Sequence, residues 1–200
     1  MIYVMRHGES TANIDYRINC GESSDLTEAG RDQARKAAHW FQNKGIQRVY
    51  SSPYPRARQT ASIIAETLDL ILEIDDDLRE LDCGEVLEGH VDEDSLGRFM
   101  ATFRRFAQGE WAAQFPGRES YRSVFERFSR ILSAAEEENN TLLVTHGGVI
   151  RAIVPFVCVN AAVLQGIRIP ENTGLVILEP YDIGRYICES WNLVDHLAGD

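Results

Sequence analysis

Ile2-Tyr3-Val4-Met5-Arg6-His7-Gly8 opens the chain, and Leu142-Leu143-Val144-Thr145-His146-Gly147-Gly148 repeats its design far downstream. In each, a short apolar run of strand length leads to a histidine followed by glycine. Ligands bind outside the carboxyl ends of the strands in an open α/β sheet. The two imidazoles can therefore converge on one site, although 138 residues separate them.

Working outward from these two strands, helix and strand signals alternate, which is the pattern of an α/β domain. Thr27 can cap a helix running to about Gln42, in which Ala34, Ala37, Ala38 and Phe41 fall at helical spacing and Lys44-Gly45 supplies a stop. Val49-Tyr50-Ser51 reads as a short strand, and Pro55 suits the first turn of a helix carrying Ala57, Ala61, Ile64 and Leu68 on one face. Leu70 to Ile74 reads as an edge strand. The segment from about His90 to Phe115 holds two aromatic-rich amphipathic pieces and no clear strand, so a helical cap inserted at about 90–117 is expected. Glu119 to Glu138 is a further amphipathic helix, with Glu136-Glu137-Glu138 as its solvated end. Thr141 to Thr145 then returns to the sheet, Val149 to Val157 is an apolar helix, and Leu175 to Leu178 with Tyr186 to Ser190 are two terminal strands.

A chain of 200 residues with 44% hydrophobic content makes one domain with a sizeable core. The formal net charge of −11 and a pI near 4.9 argue against a nucleic-acid binder, which needs a basic face. An anionic small molecule is compatible with that charge only where arginines are locally clustered. No stretch approaches the roughly 18 consecutive apolar residues of a membrane span, and Met1 leads directly into a strand without a basic n-region. A soluble cytoplasmic protein without membrane partners is the expectation. Cys20, Cys83, Cys158 and Cys188 show no CxxC or zinc-type spacing, so reduced, mostly buried thiols are expected.

A neutral imidazole at a strand end is a competent nucleophile towards phosphorus near neutral pH. Arg6 adds a planar fork for phosphoryl oxygens, and Gly8 would let the backbone approach a ligand. By itself, Arg6-His7-Gly8 reads equally well as a histidine that caps the sheet through a backbone bond. The cluster Ser51-Ser52-Pro53-Tyr54-Pro55-Arg56-Ala57-Arg58-Gln59-Thr60-Ala61 shifts the reading, because it sets arginines at a strand-to-helix junction, where helix N-termini also favour phosphate. Arg56 falls in the first helical turn facing the strand end, and Arg58 lies about 200° further round.

At this point the chain resembles a histidine phosphatase of the phosphoglycerate-mutase-like superfamily. Four motifs carry the resemblance in order: Arg6 to Asn13, Leu26 to Ala34, the cluster from Ser51 to Ala61, and Val144 to Arg151. The resemblance implies a single domain over 1–200, built as a three-layer sandwich with a mostly parallel central sheet flanked by helices. It also implies that His7 attacks phosphorus and becomes a phosphohistidine, while Arg6, Arg56 and His146 hold the phosphoryl oxygens. The flanking guanidinium groups should keep His7 neutral. Glu80, four residues before Gly84, matches the family's acid position, with Asp82 and Glu85 as local competitors. The family then continues with an aromatic residue before Glu-Gly, whereas Val86-Leu87-Glu88-Gly89 lacks the aromatic and runs one residue longer. Asn13 is expected to add a hydrogen bond to phosphate or substrate. Arg17, Glu119, Ser120 and Asn172 are weaker candidates, and Arg118, in place of the second glycine of the family's Gly-Gly-Glu-Ser, either reads a substrate anion or points into solvent.

His39, His90 and His196 lack a partner motif and read as satisfied surface histidines. Arginines on both sides of His7 and His146 would repel a cation, so no metal and no cofactor are expected. The sequence favours hydrolysis of a small-molecule phosphomonoester. A phosphoglycerate mutase with the same residues is the alternative, disfavoured by the small cap, which leaves little material to exclude water. A non-catalytic phospho-ligand or protein-interaction module is the third reading, and the full set His7, Arg6, Arg56, His146 and Glu80 speaks against it.

Overall fold

The computed structural model describes residues 1–21, 24–85, 87–89, 92–138, 140–160 and 168–198. Its elements are β1 (Ile2–Arg6), α1 (Thr11–Ile14), α2 (Glu28–Phe41), β2 (Arg48–Ser51), α3 (Pro55–Leu68), β3 (Leu72–Ile74), α4 (Glu93–Ala107), α5 (Tyr121–Glu136), β4 (Thr141–Thr145), α6 (Gly147–Val157), β5 (Leu175–Asp182) and β6 (Arg185–Leu193). The six strands form one sheet in the order β3-β2-β4-β1-β5-β6. The first four in that order pair in parallel, and β5 and β6 add an antiparallel hairpin on one side.

Strand alternation divides the apolar residues between two cores. Tyr3 and Met5 of β1 with Leu142 and Val144 of β4 face α2 and α3, while Ile2, Val4 and Leu143 face α5 and α6. Alanines make the first layer thin. Ala34, Ala37 and Ala38 of α2 and Ala57, Ala61 and Ala65 of α3 are all buried, so backbone lies close to the sheet, and Phe41 meets Tyr3 edge-on at 5.6 Å. The second layer is built from large side chains, with Phe128, Ile131 and Leu132 of α5 buried beside α6. Helices on both faces of a mostly parallel sheet make the expected three-layer α/β architecture.

Local signals explain the element boundaries. The Thr27 hydroxyl accepts the Gly30 N–H at the start of α2, Pro55 occupies the first turn of α3, and Ser120 accepts the Ser123 N–H at the head of α5. Of the two amphipathic pieces in the expected helical cap, one is a helix. It is α4, capped by Asp92. The second piece folds as turns that close with a bridge between Gln114 and Ser120, because Gly109 and Gly117 both take φ of 71° and Pro116 lies between them. Its aromatics still pack, Phe115 meeting Phe106 at 5.6 Å.

Two further expectations are corrected. Cys20 and Cys83 are joined in a disulfide, with Cα atoms 5.8 Å apart across a sequence separation of 63. Their spacing carries no signal because only the tertiary fold brings the two loops together. Cys158 and Cys188 are free and buried. His196 is buried rather than superficial: its Nε2 lies 2.9 Å from the Thr173 hydroxyl and its ring packs near Trp40. His39 is exposed, and His90 lies outside the described residues.

Candidate active site

Parallel pairing of β1 with β4 sets Arg6 opposite Thr145, so the two residues that follow, His7 and His146, lie side by side at the carboxyl ends of adjacent strands. Their ring centroids are 5.3 Å apart, and the His7 N–H donates to Thr145 O at 3.0 Å. Both residues are buried, His7 to 4% and His146 to 0% exposure. The convergence read from the sequence is thus a consequence of strand adjacency.

His7 Nδ1 lies 2.7 Å from the Gly8 carbonyl, which can only accept, so that nitrogen carries the proton. The lone pair is left on Nε2, where Arg56 Nε donates to it at 3.2 Å. Burial, then the charges of Arg56 and Arg6, push the His7 pKa well below its ordinary value. Burial and Arg56 do the same to His146. Both imidazoles are neutral at pH 7. His146 Nε2 meets the Ser52 hydroxyl at 2.7 Å, whereas its Nδ1 is buried without a partner.

Arg56 is fully buried in the first turn of α3 and is held by loop carbonyls, Nη1 donating to Gly21 O at 2.5 Å and Nη2 to Asn19 O at 3.3 Å. Burial lowers its pKa to about 10, so it remains a cation at neutral pH. Arg58 is exposed on the opposite side of the helix. Arg6 donates from Nη1 to Pro170 O at 2.8 Å, and its buried Nε has no partner. Cations and imidazoles together form a floor suited to a compact multiply charged anion.

Glu80 reaches this floor from the segment after β3. Its Oε2 accepts the Gly148 N–H at 2.9 Å, and its Oε1 accepts Val149 N–H at 2.8 Å and Leu81 N–H at 2.9 Å. It therefore performs the capping that His146, which makes no side-chain cap bond, leaves undone at the head of α6. A Cβ at Gly148 would lie 2.7 Å from Glu80 Oε1 and would push that carboxylate off its amides. Gly8 is needed by the fold itself: a Cβ there would lie 2.6 Å from Gly30 O, at the head of α2.

Arg6, His7, Asn13, Arg17 and Glu80 line one cavity of about 230 Å³. Asn13 Oδ1 accepts from Ser10 N, Ser10 Oγ and Asn172 Nδ2 at 3.0 to 3.1 Å, and Asn172 Nδ2 also donates to His7 O at 3.1 Å. Arg17 reaches the cavity while paired with Asp15 at 2.6 Å. Three candidates stand apart. Arg118 pairs with Asp82 at 3.5 Å and, with Asp82 and Glu85, lines a neighbouring cavity rather than the one holding His7. Glu119 pairs with Arg127, and Ser120 is a helix cap.

Arg127 is the residue that sequence reasoning missed. Only 4% exposed, it donates to the carbonyls of Asp77, Arg79 and Glu80 at 2.7 to 3.1 Å while both Glu119 oxygens hold it. It thereby fixes the segment that carries Glu80. The available signal was an arginine on the apolar stripe of α5 between Val124 and Ile131. Thr60 was also missed. Its hydroxyl accepts the Gly8 N–H at 3.0 Å and donates to Arg56 O at 2.8 Å, linking the segments of His7 and Arg56.

Two buried histidines at adjacent strand ends, with Arg6 beside them and Arg56 at the head of α3, make a site whose chemistry suits a phosphate-like anion. The chain belongs to the histidine phosphatase superfamily (branch 1), whose family model matches residues 2–194. It is 29% identical to phosphoglycerate mutase-like protein 4 of Arabidopsis thaliana, over 98% of this chain and 86% of that protein. It is 35% identical to a probable phosphoglycerate mutase GpmB of Enterobacter sp. (strain 638), over 73% of this chain and 69% of that protein. Among solved structures, a mycobacterial glucosyl-3-phosphoglycerate phosphatase superposes with a TM-score of 0.80 at 23% identity, covering 96% of this chain and 98% of the other. A phosphoserine phosphatase of Entamoeba histolytica, in complex with 3-phosphoglyceric acid, superposes with a TM-score of 0.79 at 25% identity and 98% coverage of both chains. No helix among the described residues is long and apolar enough to cross a membrane.

Proposed function

We propose that the chain is a phosphomonoesterase that works through a phosphohistidine on His7. The observation that carries this reading is the protonation pattern of His7: Nδ1 is committed to Gly8 O, so Nε2 holds a lone pair in a pocket of cations. In the first step Nε2 forms a bond to phosphorus as the ester P–O bond breaks, and the departing alkoxide takes a proton from Glu80. Oε2 of Glu80 has one amide partner and so can hold that proton while Oε1 keeps its two. In the second step water attacks phosphorus, Glu80 takes a proton from that water, and the P–N bond breaks to return His7. Arg6, Arg56 and His146 meet the charge that develops on the equatorial oxygens, which is the main catalytic demand of phosphoryl transfer.

No metal is needed in this scheme, because Arg6 and Arg56 supply the positive charge. The names of the curated relatives favour phosphoglycerate mutation as a second reading. Hydrolysis is supported by the small cap, whose described residues hold one helix, α4, and a set of turns, and leave Met100 42% exposed at the cavity. The discriminating experiment is turnover of a panel of phosphomonoesters in EDTA beside a phosphoglycerate mutase assay. Release of inorganic phosphate in EDTA is expected. Phosphoryl transfer between phosphoglycerates without phosphate release would favour the mutase, and loss of activity in EDTA would end metal independence.

A further inference from the structure

The wall of the catalytic cavity opposite the arginines is apolar. Leu96, Phe99, Met100 and Phe103 fall at i, i+3, i+4 and i+7 on α4, and all four line the cavity with Ile18 and Ile169. The wall is stiff at its centre, because Phe99 stacks on Phe103 at 6.0 Å and 8° and on Phe115 at 5.5 Å and 19°. At its rim it is adaptable, with Met100 at 42% and Ile169 at 42% exposure. Tyr16 adds an 86% exposed ring on the same cavity, held at the left-handed φ of 54°.

The charges of α4 point elsewhere. Arg98 pairs with Asp94 at 3.0 Å, Arg105 binds Glu110, and neither lines this cavity. Apart from Arg6 on the floor, Arg17 is the sole cation lining it among the described residues, and Asp15 already pairs with Arg17 at 2.6 Å. The residues outside the described set contain no lysine or arginine. A second anionic group on the substrate would thus lose its hydration against an apolar wall with no unpaired cation to meet it, on a chain of net charge −11.

We propose, on the basis of the phosphomonoesterase reading above, that the preferred substrates are phosphomonoesters whose leaving group is an uncharged, largely apolar or aromatic alcohol. Phosphoglycerates and phosphoserine, which carry a carboxylate near the phosphate, are then poor substrates. The leaving group lies along Leu96, Phe99 and Met100, while the phosphoryl group remains on the Arg6, His7 and Arg56 floor.

The test is kcat/KM for ethyl, butyl and 2-phenylethyl phosphate against 3-phosphoglycerate and phosphoserine, with Met100→Lys and Met100→Leu variants and phosphoenzyme trapping for each ester. Met100 is half exposed, so both variants are expected to fold. The parent should favour 2-phenylethyl phosphate over 3-phosphoglycerate by roughly tenfold or more. Met100→Lys should shrink that ratio several-fold, and Met100→Leu should preserve it. A parent that turns over 3-phosphoglycerate or phosphoserine faster than the phenylethyl ester overturns the proposal, as does a ratio unmoved by Met100→Lys. Absence of both phosphate release and phosphoenzyme with every ester would instead overturn the catalytic reading, and this inference with it.

Discussion

The floor and the cap wall of the cavity that holds His7 are built on opposite principles. On the floor, polar groups are buried and ordered by other polar groups: Arg56 by two carbonyls, His7 by Gly8 O, Glu80 by three amides. On the wall, side chains of α4 are apolar and partly exposed, and they hold one another by stacking. Groups that must meet developing charge need fixed positions before the reaction. Groups that receive a variable organic fragment need shape and little else. The floor is accordingly the place where single substitutions should cost orders of magnitude, and the wall the place where they should redistribute preference among substrates.

His7→Ala gives the largest expected effect. Turnover should fall by on the order of 10⁴ or more, because no other group replaces a lost nucleophile. Cooperative thermal unfolding of the variant should persist, since the residue it removes is a neutral imidazole at the sheet end. Retained turnover would dissolve the distinction between floor and wall.

The two arginines at the head of α3 offer the next contrast. Arg56→Ala should lower kcat/KM by about 10³-fold, as expected for an arginine that clamps a transferring phosphoryl group. Arg58→Ala, on an exposed side chain, should change it less than about tenfold. Equal losses would show that the buried guanidinium is structural.

Glu80→Gln sharpens the role of the third floor element. Single-turnover phosphorylation by an alkyl phosphate should slow by about 10²-fold or more, and by p-nitrophenyl phosphate far less, because nitrophenolate leaves with little protonation. The same loss with both leaving groups would reduce Glu80 to a cap of α6 and leave the proton donor unassigned.

Arg127→Ala tests the brace behind the floor. Removing a cation that is 4% exposed strands Glu119 and three carbonyls, and stability should fall by about 3–5 kcal/mol in a denaturant titration. Arg127→Lys should recover part of the stability, with fewer carbonyls engaged. A loss below about 1 kcal/mol would show that the segment holding Glu80 needs no such support.

The same burial makes stability depend on pH. The folded state binds protons at His7 and His146 only well below their unfolded pKa of about 6.5, so the unfolded chain takes them up first. Stability is therefore full above about pH 6.5 and falls as pH drops below it, at up to about 2.7 kcal/mol per pH unit for two sites until the folded groups titrate. A melting temperature flat from pH 7 to 5 would contradict neutral, buried imidazoles.

What was legible in the sequence follows the same division. The sheet, the strand-end histidines and Arg56 could be read because each depends on local pattern: apolar runs, Pro55 at a helix head, glycine after histidine. The Cys20–Cys83 disulfide, the burial of His196 and the bracing by Arg127 depend on which loops meet, and chain spacing carries no record of that. In the cap, the sequence showed two amphipathic pieces; the first is α4, while Gly109, Pro116 and Gly117 divert the second into turns and Phe115 keeps its place in the core. Arg118, which the sequence left open between reading a substrate anion and pointing into solvent, pairs with Asp82 in the structure.

A covalent bond between phosphorus and His7 Nε2 is the step on which the proposed chemistry turns. Rapid quenching of the enzyme with a radiolabelled phosphomonoester, followed by peptide mapping, tests it directly. The predicted result is an acid-labile, base-stable label that forms faster than or as fast as turnover, maps to the peptide containing His7, and is missing from His7→Ala. Turnover at the parent rate with no trapped label under these conditions, or a label that maps to His146 and survives in His7→Ala, would contradict it.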